Sequence, residues 1–263
     1  MLKQNVIRVP EGCPTMLQAL QLAVIFSERN ECTRVNPVKV EVGEGEHDMM
    51  GVVSDEYPGL LMHVRCSNIT IVGKVKGKTT ILGGFYVNGK QNVKIEQLSV
   101  TNSCGHGLGC KGSGVDVTEC CFKKCGYSGM SSMDSATATA TRCEFMENGH
   151  FGVSCGGANT KVKLNDSTVH HNILYGLLAY NDAVVDLHGT KTDIYSNSSG
   201  IYAIRNAKVN IHLPSQHNTS HDNVQSHDNV RQDRFQQSGG SIANINADGT
   251  FTHVVEDDED EEL

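Results

Sequence analysis

The sequence has no tryptophan, only 5 prolines and few aromatic residues, which make up 5% of its 263 residues. A chain of this length buries a sizeable core, and here that core must be built from valine, isoleucine, leucine, alanine and other small side chains. Such side chains suit thin, regularly stacked layers better than bulky helix packing. The shortage of large rings therefore favours a layered β-structure.

An excess of basic residues is also missing, since 22 lysines and arginines stand against 30 aspartates and glutamates. Seven of the acids lie in one run at residues 256–262, which leaves 23 acidic residues in an almost neutral body. A nucleic-acid partner requires a basic surface to meet its phosphates. The sequence therefore predicts no nucleic-acid partner, and it predicts a disordered acidic tail at residues 256–263.

Long apolar runs are absent as well. The most apolar stretch, residues 16–26, is interrupted by Gln18 and Gln21 and is too short to span a bilayer. The first residues show no basic segment followed by an apolar one, as a secretory signal would. All ten cysteines precede residue 156 without forming a metal-type CxxC pair. We interpret them as reduced, mostly packed thiols, and expect an intracellular (cytoplasmic or nuclear) protein with no membrane partner.

Three series of apolar residues recur along the chain every 22 to 25 residues. The first series consists of the alternating pairs Ile69/Ile71, Val93/Ile95, Val115/Val117, Ala138/Ala140, Val162/Leu164, Val185/Leu187 and Val209/Ile211. The other two are Val100, Phe122, Phe145, Val169 and Ile194, and Leu108, Met130, Val153, Leu177 and Ile201. Three period-two segments in each repeat predict three short strands per turn of a solenoid.

A coil of three strands per rung explains this pattern physically. Rungs stack at about 4.8 Å, as in any β-ladder, so equivalent residues lie above one another and inward aliphatic side chains form continuous rows. Asn148, Asn172 and Asn197 recur just before the third strand, and Cys125 takes that place one rung earlier. Asparagine suits such a turn because its amide bonds the backbone and can stack between rungs.

Two repeats, CEFMENGHFGV (143–153) and STVHHNILYGL (167–177), resemble those of the pectate-lyase-like superfamily. The segment GCPT (12–15), followed by a helical run at residues 16–27 with Thr15 as its N-cap, looks like the helix that caps such solenoids. The resemblance covers about residues 5–212. It implies an all-β, right-handed single-stranded parallel β-helix with three strands per rung and an N-terminal capping helix, and it leaves the chemistry open.

The period divides the chain into four segments. Residues 1–37 are predicted to form the cap and its connection, and residues 38–212 the solenoid. Residues 213–255 are predicted to form a loop and a C-terminal cap, followed by the acidic tail at residues 256–263. The loop is placed at residues 215–237 because no apolar row continues through them, whereas apolar alternation returns at residues 240–255. A cap there would cover the strand edges of an open end.

Polar residues at outward positions are the candidates for chemistry. In the superfamily that the repeats resemble, the enzymes that act on polysaccharides carry carboxylates, lysines or arginines and sometimes histidines on the outer face of one sheet. The residues of this kind on or near neighbouring rungs are His170, His171, Lys163, Asp186 and His188. Together they could supply a base, a cation and an orienting acid. Alternatively, they belong to a solvated polar face, lie on two different strands and do not converge.

Gly105-His106-Gly107 matches a motif of polygalacturonase-type hydrolases on this fold. The Asn-x-Asp and Asp-Asp pairs that accompany it in those enzymes are missing before residue 105. A glycosidase also needs two carboxylates facing one bond, and no outward row offers two acids on adjacent rungs. We therefore interpret the motif as a glycine-rich turn before a strand.

Two further groups are candidates for binding. Tyr175, Tyr180, Tyr195 and Tyr202 are the clustered aromatic residues from which a glycan-binding surface could be built. A duplicated polar segment contains His221, Asp222, His227 and Asp228, preceded by His217, whose imidazoles and carboxylates suit a divalent metal. The alternative for this segment is an unliganded surface loop. No cofactor is predicted.

Three functions remain open from the sequence. The leading hypothesis is a non-catalytic solenoid that presents an extended polar face to a protein or a glycan. The first alternative is a polysaccharide lyase or epimerase acting in a groove along one sheet, and the second is a structural assembly subunit. Acid, lysine and histidine converging within about 4 Å would favour the enzyme, exposed aromatics over a groove the glycan binder, and an uncapped end rung the assembly subunit.

Overall fold

The structure is a computed structural model that describes residues 5–29, 32–48, 61–75, 77–215, 219–224 and 233–253. In chain order its elements are β1 (Val6–Val9), α1 (Met16–Arg29), β2 (Val38–Val42), β3 (Gly45–Asp48), β4 (Leu61–Val64), β5 (Ile69–Gly73), β6 (Thr79–Leu82), β7 (Gly84–Asn88), β8 (Val93–Glu96), β9 (Ser99–Thr101), β10 (Leu108–Lys111), β11 (Gly114–Thr118), β12 (Cys121–Lys123), β13 (Met130–Met133), β14 (Thr137–Thr141), β15 (Glu144–Met146), β16 (Val153–Gly156), β17 (Lys161–Asn165), β18 (Thr168–His170), β19 (Tyr175–Tyr180), β20 (Val184–His188), β21 (Asp193–Tyr195), β22 (Ser199–Ile204), β23 (Lys208–His212), β24 (Arg234–Gln237), β25 (Ser241–Ile245) and β26 (Phe251–His253).

The strands form three sheets around one core. Sheet A has 11 strands in the order β1-β2-β5-β8-β11-β14-β17-β20-β23-β25-β26. Sheet B has seven, β3-β6-β9-β12-β15-β18-β21, and sheet C has eight, β4-β7-β10-β13-β16-β19-β22-β24. From β2 to β22 each turn of the chain adds one strand to each sheet, in the order A, B, C. The prediction of an all-β parallel solenoid with three strands per rung and a helix near the N-terminus is confirmed.

The three predicted apolar series lie in register, one on the inner face of each sheet. On sheet A Val115 pairs with Val93, and on sheet C Leu108 pairs with Met130. On sheet B Phe122 pairs with Phe145, and their rings stack with centroids 5.3 Å apart. All of these side chains are buried. The interior thus takes one aliphatic or phenyl side chain per rung in each row, which explains why the chain uses no tryptophan.

A row of buried asparagine amides follows the turn between sheets B and C. Oδ1 of Asn172 accepts hydrogen bonds from the backbone N–H (3.1 Å) and Nδ2 (2.9 Å) of Asn148. Asn197 accepts the same pair from Asn172, at 3.0 and 2.9 Å. At one end Cys125 donates its N–H to Asn148, and at the other Asn197 donates to Asn223. The predicted row is therefore present, and it is one rung longer than the sequence indicated.

The glycines at or next to the start of the sheet C strands are required for space. A β-carbon at Gly176 would lie 2.5 Å from Cγ2 of Ile194 and 2.7 Å from Nδ2 of Asn197. A β-carbon at Gly152 would collide with Val169 and lie 2.8 Å from Nδ2 of Asn172. Neither glycine has a positive φ. These positions therefore exclude side chains because the asparagine row and the sheet B core residues pack directly against the backbone.

The N-terminal helix is capped as the sequence predicts, since the N–H of Gln18 donates to Oγ1 of Thr15 at 3.2 Å. The helix buries Met16, Ala19, Leu20 and Ala23. Sheet A begins within the segment predicted as the cap and its connection (residues 1–37), because β1 pairs with β2. Strand β1 has only four residues of apolar alternation, which are too few to be recognised from the sequence as part of a period of 22 to 25 residues. Among the described residues, no helix has the length and apolar character needed to cross a membrane.

The predicted loop at residues 215–237 differs from the structure, because its described parts continue the solenoid. Asn223 extends the asparagine row, and Oδ1 of Asp233 accepts its N–H (2.9 Å) and Nδ2 (2.8 Å) as the next residue in the row. Strand β24 then pairs with β22 in sheet C. Its side chains are not buried, so backbone and amide hydrogen bonds extend the coil without an apolar row. A search for apolar periodicity does not detect such a rung.

The end of the described chain adds two strands to sheet A. Strand β25 pairs in parallel with β23, and β26 adds to it in antiparallel orientation. Ile242 is buried in the core, whereas Phe251 is 74% exposed. The predicted acidic tail, residues 256–263, lies outside the described residues.

Candidate functional site

A groove of about 350 Å³ lies on the outer face of sheet C, in its C-terminal half. We call it the aromatic groove, and its lining residues are Phe151, Ser154, Tyr175, Leu178, Tyr180, Tyr202, Ile204 and Arg205. The rings follow one another along the solenoid: Tyr175 lies 5.6 Å from Phe151 and 4.9 Å from Tyr202, centroid to centroid. Phe235 on the next rung lies 4.9 Å from Tyr202. The groove is thus a row of aromatic rings on successive rungs.

The outward row of sheet C explains where this groove begins. Along the row, Ser154 pairs with Leu178, Leu178 with Tyr202 and Tyr202 with Phe235. The side chains therefore change from small to large along the solenoid. Tyr180 packs over Gly156 on the neighbouring strand, where a β-carbon would collide with its ring. The small residues Ser154 and Gly156 leave the open space of the groove. The larger side chains of Leu178, Tyr180 and Tyr202 form its wall.

Three polar groups give the groove hydrogen-bonding capacity. Burial and the neighbouring Tyr202 raise the pKa of Tyr175, so its hydroxyl stays protonated at neutral pH. The hydroxyl of Tyr202 donates to Oε1 of Gln237 at 2.8 Å, which orients its ring. Arg205 adds a guanidinium with several donors. Tyr175, Tyr180 and Tyr202 are therefore brought together as the sequence suggested, but Tyr195 lies on sheet B.

A chain of three side chains on sheet B, which we call the histidine relay, consists of Glu144, His170 and His171. Nε2 of His170 lies 3.0 Å from Oε1 of Glu144, and its Nδ1 lies 2.7 Å from Nδ1 of His171. A neutral imidazole carries one N–H, so the carboxylate assigns the hydrogen of His170 to Nε2. Nδ1 of His170 then accepts from His171, whose Nε2 keeps its lone pair. Because His171 is exposed, that lone pair is available to solvent.

Tyr195 packs between two histidines on sheet B. Its ring stacks on His170 at 4.8 Å and on His221 at 5.6 Å, with interplanar angles of 11° and 12°. His221 also contacts Asp193 (3.1 Å) and Asp222 (2.8 Å). Burial lowers its pKa, but hydrogen bonds with Asp222 and Asp193 outweigh this and raise it. The predicted metal candidates His221 and Asp222 thus pair with each other and with Asp193, whereas His217, His227 and Asp228 lie outside the described residues.

The five catalytic candidates from the sequence do not form one site. His170 and His171 belong to strand β18 and the turn after it, next to sheet B, whereas Lys163, Asp186 and His188 lie on strands β17 and β20 of sheet A. Neighbours in sequence separate because the chain passes to the next sheet after a few residues. The sequence also missed Glu144. It lies on the outward row of sheet B two residues before the row of His170.

Sheet A has its own polar cluster. Oδ1 of Asp186 lies 3.1 Å from Nε2 of His212 and accepts a hydrogen bond from Nδ2 of Asn210 at 2.9 Å. The rings of His188 and His212 stack with centroids 3.8 Å apart. Burial, His212 and Lys163 lower the pKa of His188, so its imidazole is neutral at neutral pH.

His106 of the Gly105-His106-Gly107 motif has a structural contact next to the turn predicted for this motif. Its Nδ1 accepts the backbone N–H of Ser128 at 3.3 Å, and its ring lies 5.6 Å from that of Tyr127. Burial and the nearby His150 lower its pKa to about 4. The side chain is therefore a neutral hydrogen-bond acceptor in the fold.

This depressed pKa predicts a pH dependence of stability. The unfolded chain takes up a proton near pH 6.5, whereas the folded chain does so only near pH 4. Stability is then lost as the pH falls between these values, because the unfolded state binds more protons. From pH 7 to pH 5 the wild type should lose about 1–2 kcal/mol more unfolding free energy than a His106→Gln variant. Urea unfolding at both pH values measures this, and equal losses would contradict the assignment.

The cysteines are free thiols, and seven of the ten are buried. Burial raises the pKa of Cys110 and of Cys125 to about 12. Only Cys104 is exposed. Most of the thiols are therefore packed, as predicted, and Cys104 is the one that is fully on the surface.

Comparisons with known proteins agree with this architecture. The sequence matches the family described as right handed beta helix region over residues 59–219. No curated protein matches the chain. A double variant of the pectate lyase from Xanthomonas campestris has a similar structure, with 11% identity, a TM-score of 0.54, and coverage of 95% of this chain and 83% of the lyase.

A second similar structure is the A-module of the mannuronan C-5 epimerase AlgE6 from Azotobacter vinelandii. Its identity is 12% and its TM-score 0.40, with coverage of 84% of this chain and 82% of the module. At such identities, the likeness to the pectate lyase shows a shared fold. The family match spans more than half of the sequence and confirms the predicted right-handed parallel β-helix. The chain belongs to the right handed beta helix region family.

Proposed function

We propose that this protein binds a glycan chain in the aromatic groove of sheet C. The observation that carries the proposal is the row of rings from Phe151 through Tyr175 and Tyr202 to Phe235, whose neighbours are 4.9 to 5.6 Å apart. A row of this kind repeats along the solenoid, as a sugar polymer repeats along its own length. A polymer lying parallel to the solenoid axis would meet one ring after another.

The chemistry of the groove suits sugars. The C–H faces of a pyranose are apolar and carry partial positive charge, and the faces of aromatic rings carry partial negative charge, so the two stack favourably. The hydroxyl of Tyr175 and the guanidinium of Arg205 can bond sugar oxygens at the edges. Ligand sites typically combine apolar walls with a few such polar groups. The groove thus has both elements of a glycan subsite.

Binding without catalysis is the form of this function that the groove supports. Its described lining residues include no carboxylate and no histidine. Glycoside cleavage requires paired carboxylates, and proton abstraction requires a base within reach of the substrate. The groove supplies contact surface and hydrogen bonds without these groups. This favours a glycan-binding scaffold over an enzyme acting in the same groove.

The proposal predicts that removing groove rings weakens glycan binding. Affinity electrophoresis in gels containing alginate, polygalacturonate, laminarin or hydroxyethylcellulose tests the wild type for retardation. Tyr202→Ala should weaken binding to the retarding glycan by about tenfold or more, because a stacked ring contributes roughly 1–3 kcal/mol. Isothermal titration with an oligosaccharide of that glycan gives the ratio of dissociation constants.

Tyr195→Ala is the matched control, since it removes a half-buried tyrosine from sheet B and leaves the groove intact. Circular dichroism and thermal unfolding establish that both variants fold. No retardation by any of the four glycans, or equal binding by wild type and Tyr202→Ala, would contradict the proposal.

A second candidate function rests on the histidine relay. We propose that His171 acts as a general base, positioned by His170 and Glu144 through contacts of 2.7 and 3.0 Å. The relay fixes the tautomer of His171 and stabilises the positive charge that develops when it takes a proton. A lyase or epimerase needs such a base to remove the proton next to a uronate carboxylate. The arrangement supports that chemistry, in which a carbohydrate would contact sheet B.

This second candidate predicts measurable elimination. Incubation with alginate or polygalacturonate should produce the ultraviolet absorbance of unsaturated uronates. His171→Ala should lower the rate by about 100-fold, a typical contribution of a general base. Glu144→Gln should lower it less and shift its pH profile, because it removes the negative charge that stabilises protonated His171 through His170 but leaves the base itself in place. Absence of absorbance, or an unchanged rate in His171→Ala, would rule out His171 as a lyase base.

A further inference from the structure

We propose that Asp186, His188 and His212 form a binding site for a divalent transition-metal ion on the outer face of sheet A. We call these three residues the sheet A triad. One ligand atom from each lies within 4.8 Å of the others. The sequence suggested a metal site elsewhere, around His221 and His227, and the fold assembles this different set.

The parallel register of sheet A explains why the triad forms. Asp186 and His188 are two residues apart on β20 and therefore point to the same side of the sheet. Val185, which precedes Asp186, and Leu187, which lies between Asp186 and His188, point into the core. On β23 the equivalent positions are Asn210, paired with Asp186, and His212. Two adjacent strands thus present a two-by-two block of polar side chains, three of which are metal-binding types.

The distances are close to those of a coordinated ion. Bonds of about 2.0–2.2 Å place the ligand atoms of a four-coordinate ion roughly 3–3.5 Å apart. Oδ1 of Asp186 and Nε2 of His212 are already 3.1 Å apart. His188 must tilt from its stacked position on His212 to point a nitrogen at the same centre. All three side chains are half-buried, so they are anchored at the sheet and accessible from solvent.

The donor set selects the class of metal. Two imidazoles and one carboxylate suit zinc, cobalt and related first-row divalent ions, whereas calcium and magnesium prefer oxygen ligands throughout. Three protein ligands leave a position for water, as in open zinc sites. Asn210 donates Nδ2 to Oδ1 of Asp186 at 2.9 Å. This bond orients the carboxylate, the role of outer-shell partners in metal sites.

Lys163 opposes cation binding and supplies a diagnostic test. It pairs with Asp186 in the register of β17 and β20, and its charge acts on His188. A metal bound by the triad would be repelled by this ammonium group. Removing the charge should therefore tighten metal binding at this site and leave binding at distant histidines unchanged. The inference is independent of the glycan-binding proposal, because the triad and the aromatic groove lie on different sheets.

The experiment titrates ZnCl₂ into the full chain carrying Cys104→Ser, which removes the exposed thiol. We expect one zinc ion per chain. His212→Ala and His188→Ala should each weaken binding by about tenfold or more, and Asp186→Asn provides a conservative variant of similar shape. Lys163→Gln should tighten binding by a few-fold. His221→Ala is the control for loss of a histidine elsewhere and should bind as the parent does.

Cobalt substitution identifies the ligands independently. Co²⁺ bound by imidazole and carboxylate shows visible d–d bands without the intense ultraviolet band of thiolate coordination. These bands should disappear in His188→Ala/His212→Ala. Absence of zinc binding, zinc binding that is unaffected by the triad variants, or a thiolate band would each overturn the proposal.

Discussion

Replacing Asn172 with alanine is expected to lower the free energy of unfolding by about 3–5 kcal/mol. The side chain is 3% exposed and lies in the middle of the asparagine row. Its Nδ2 donates to the carbonyls of Phe145 and His170, both at 3.1 Å, and to Oδ1 of Asn197 at 2.9 Å. Its Oδ1 accepts two hydrogen bonds from Asn148. One side chain therefore serves the polar groups of three rungs.

The size of this effect follows from burial. Each buried polar group left without a partner costs about 1–3 kcal/mol, and alanine cannot replace any of these bonds. The backbone N–H of Asn148 and the carbonyl of Phe145 would lose a partner where water has little access. The side chain also leaves a cavity that the stacked rungs cannot close, since their spacing is fixed by the sheets.

Urea unfolding of Asn172→Ala beside Asn88→Ala measures this contribution. Asn88 lies at the end of β7 with an exposed side chain, so its removal should change the unfolding free energy by less than about 0.5 kcal/mol. A loss below about 1 kcal/mol in Asn172→Ala would mean that the row contributes little to stability.

The fold was predictable where apolar side chains carry the period. The rows of Val115 and Leu108 mark strands on sheets A and C, and each pairs with the residue that the spacing indicates. The prediction failed where polar groups continue the coil. Asn223 and Asp233 join the asparagine row at 2.8 to 3.0 Å, yet no apolar residue of β24 is buried beside them. The spacing of the asparagines does reach this rung, since Asn223 follows Asn197 by 26 residues, but a period defined by apolar residues alone does not.

The candidate sites were predictable as rows but not as clusters. Spacing correctly indicates that Tyr202 and His170 are outward, because the strand alternates. It does not show what lies beside them across the turn. Tyr195 and Tyr202 are seven residues apart but occupy different sheets, whereas Glu144 and His170, separated by a whole rung, are in contact. The side-chain partners depend on the angle between sheets and on rotamers, which a repeat length does not specify.

The aromatic groove depends on the same core packing as the fold, and Gly176 joins the two. We expect Gly176→Ala to lower the free energy of unfolding by about 2–3 kcal/mol, the upper part of the range for overpacking in a tight core. The added methyl would lie 2.5 Å from Cγ2 of Ile194, 2.7 Å from Nδ2 of Asn197 and 3.1 Å from the carbonyl oxygen of Gly200. Ile194 belongs to the core and Asn197 to the asparagine row. Neither can move without loss of packing or of hydrogen bonds.

The same substitution tests the coupling of packing to binding, because Gly176 follows the groove residue Tyr175 directly. A shift of this strand should displace the ring of Tyr175 from Tyr202 and weaken glycan binding even at temperatures where the variant stays folded. Gly12→Ala is the matched control, since its nearest neighbour would be the carbonyl oxygen of Arg8 at an ordinary 3.7 Å. Urea unfolding and affinity electrophoresis of both variants measure the two effects. Equal stability of Gly176→Ala and Gly12→Ala would show that the stacked rungs can spread to admit a methyl group. The glycines at the start of the sheet C strands would then recur for a reason other than space.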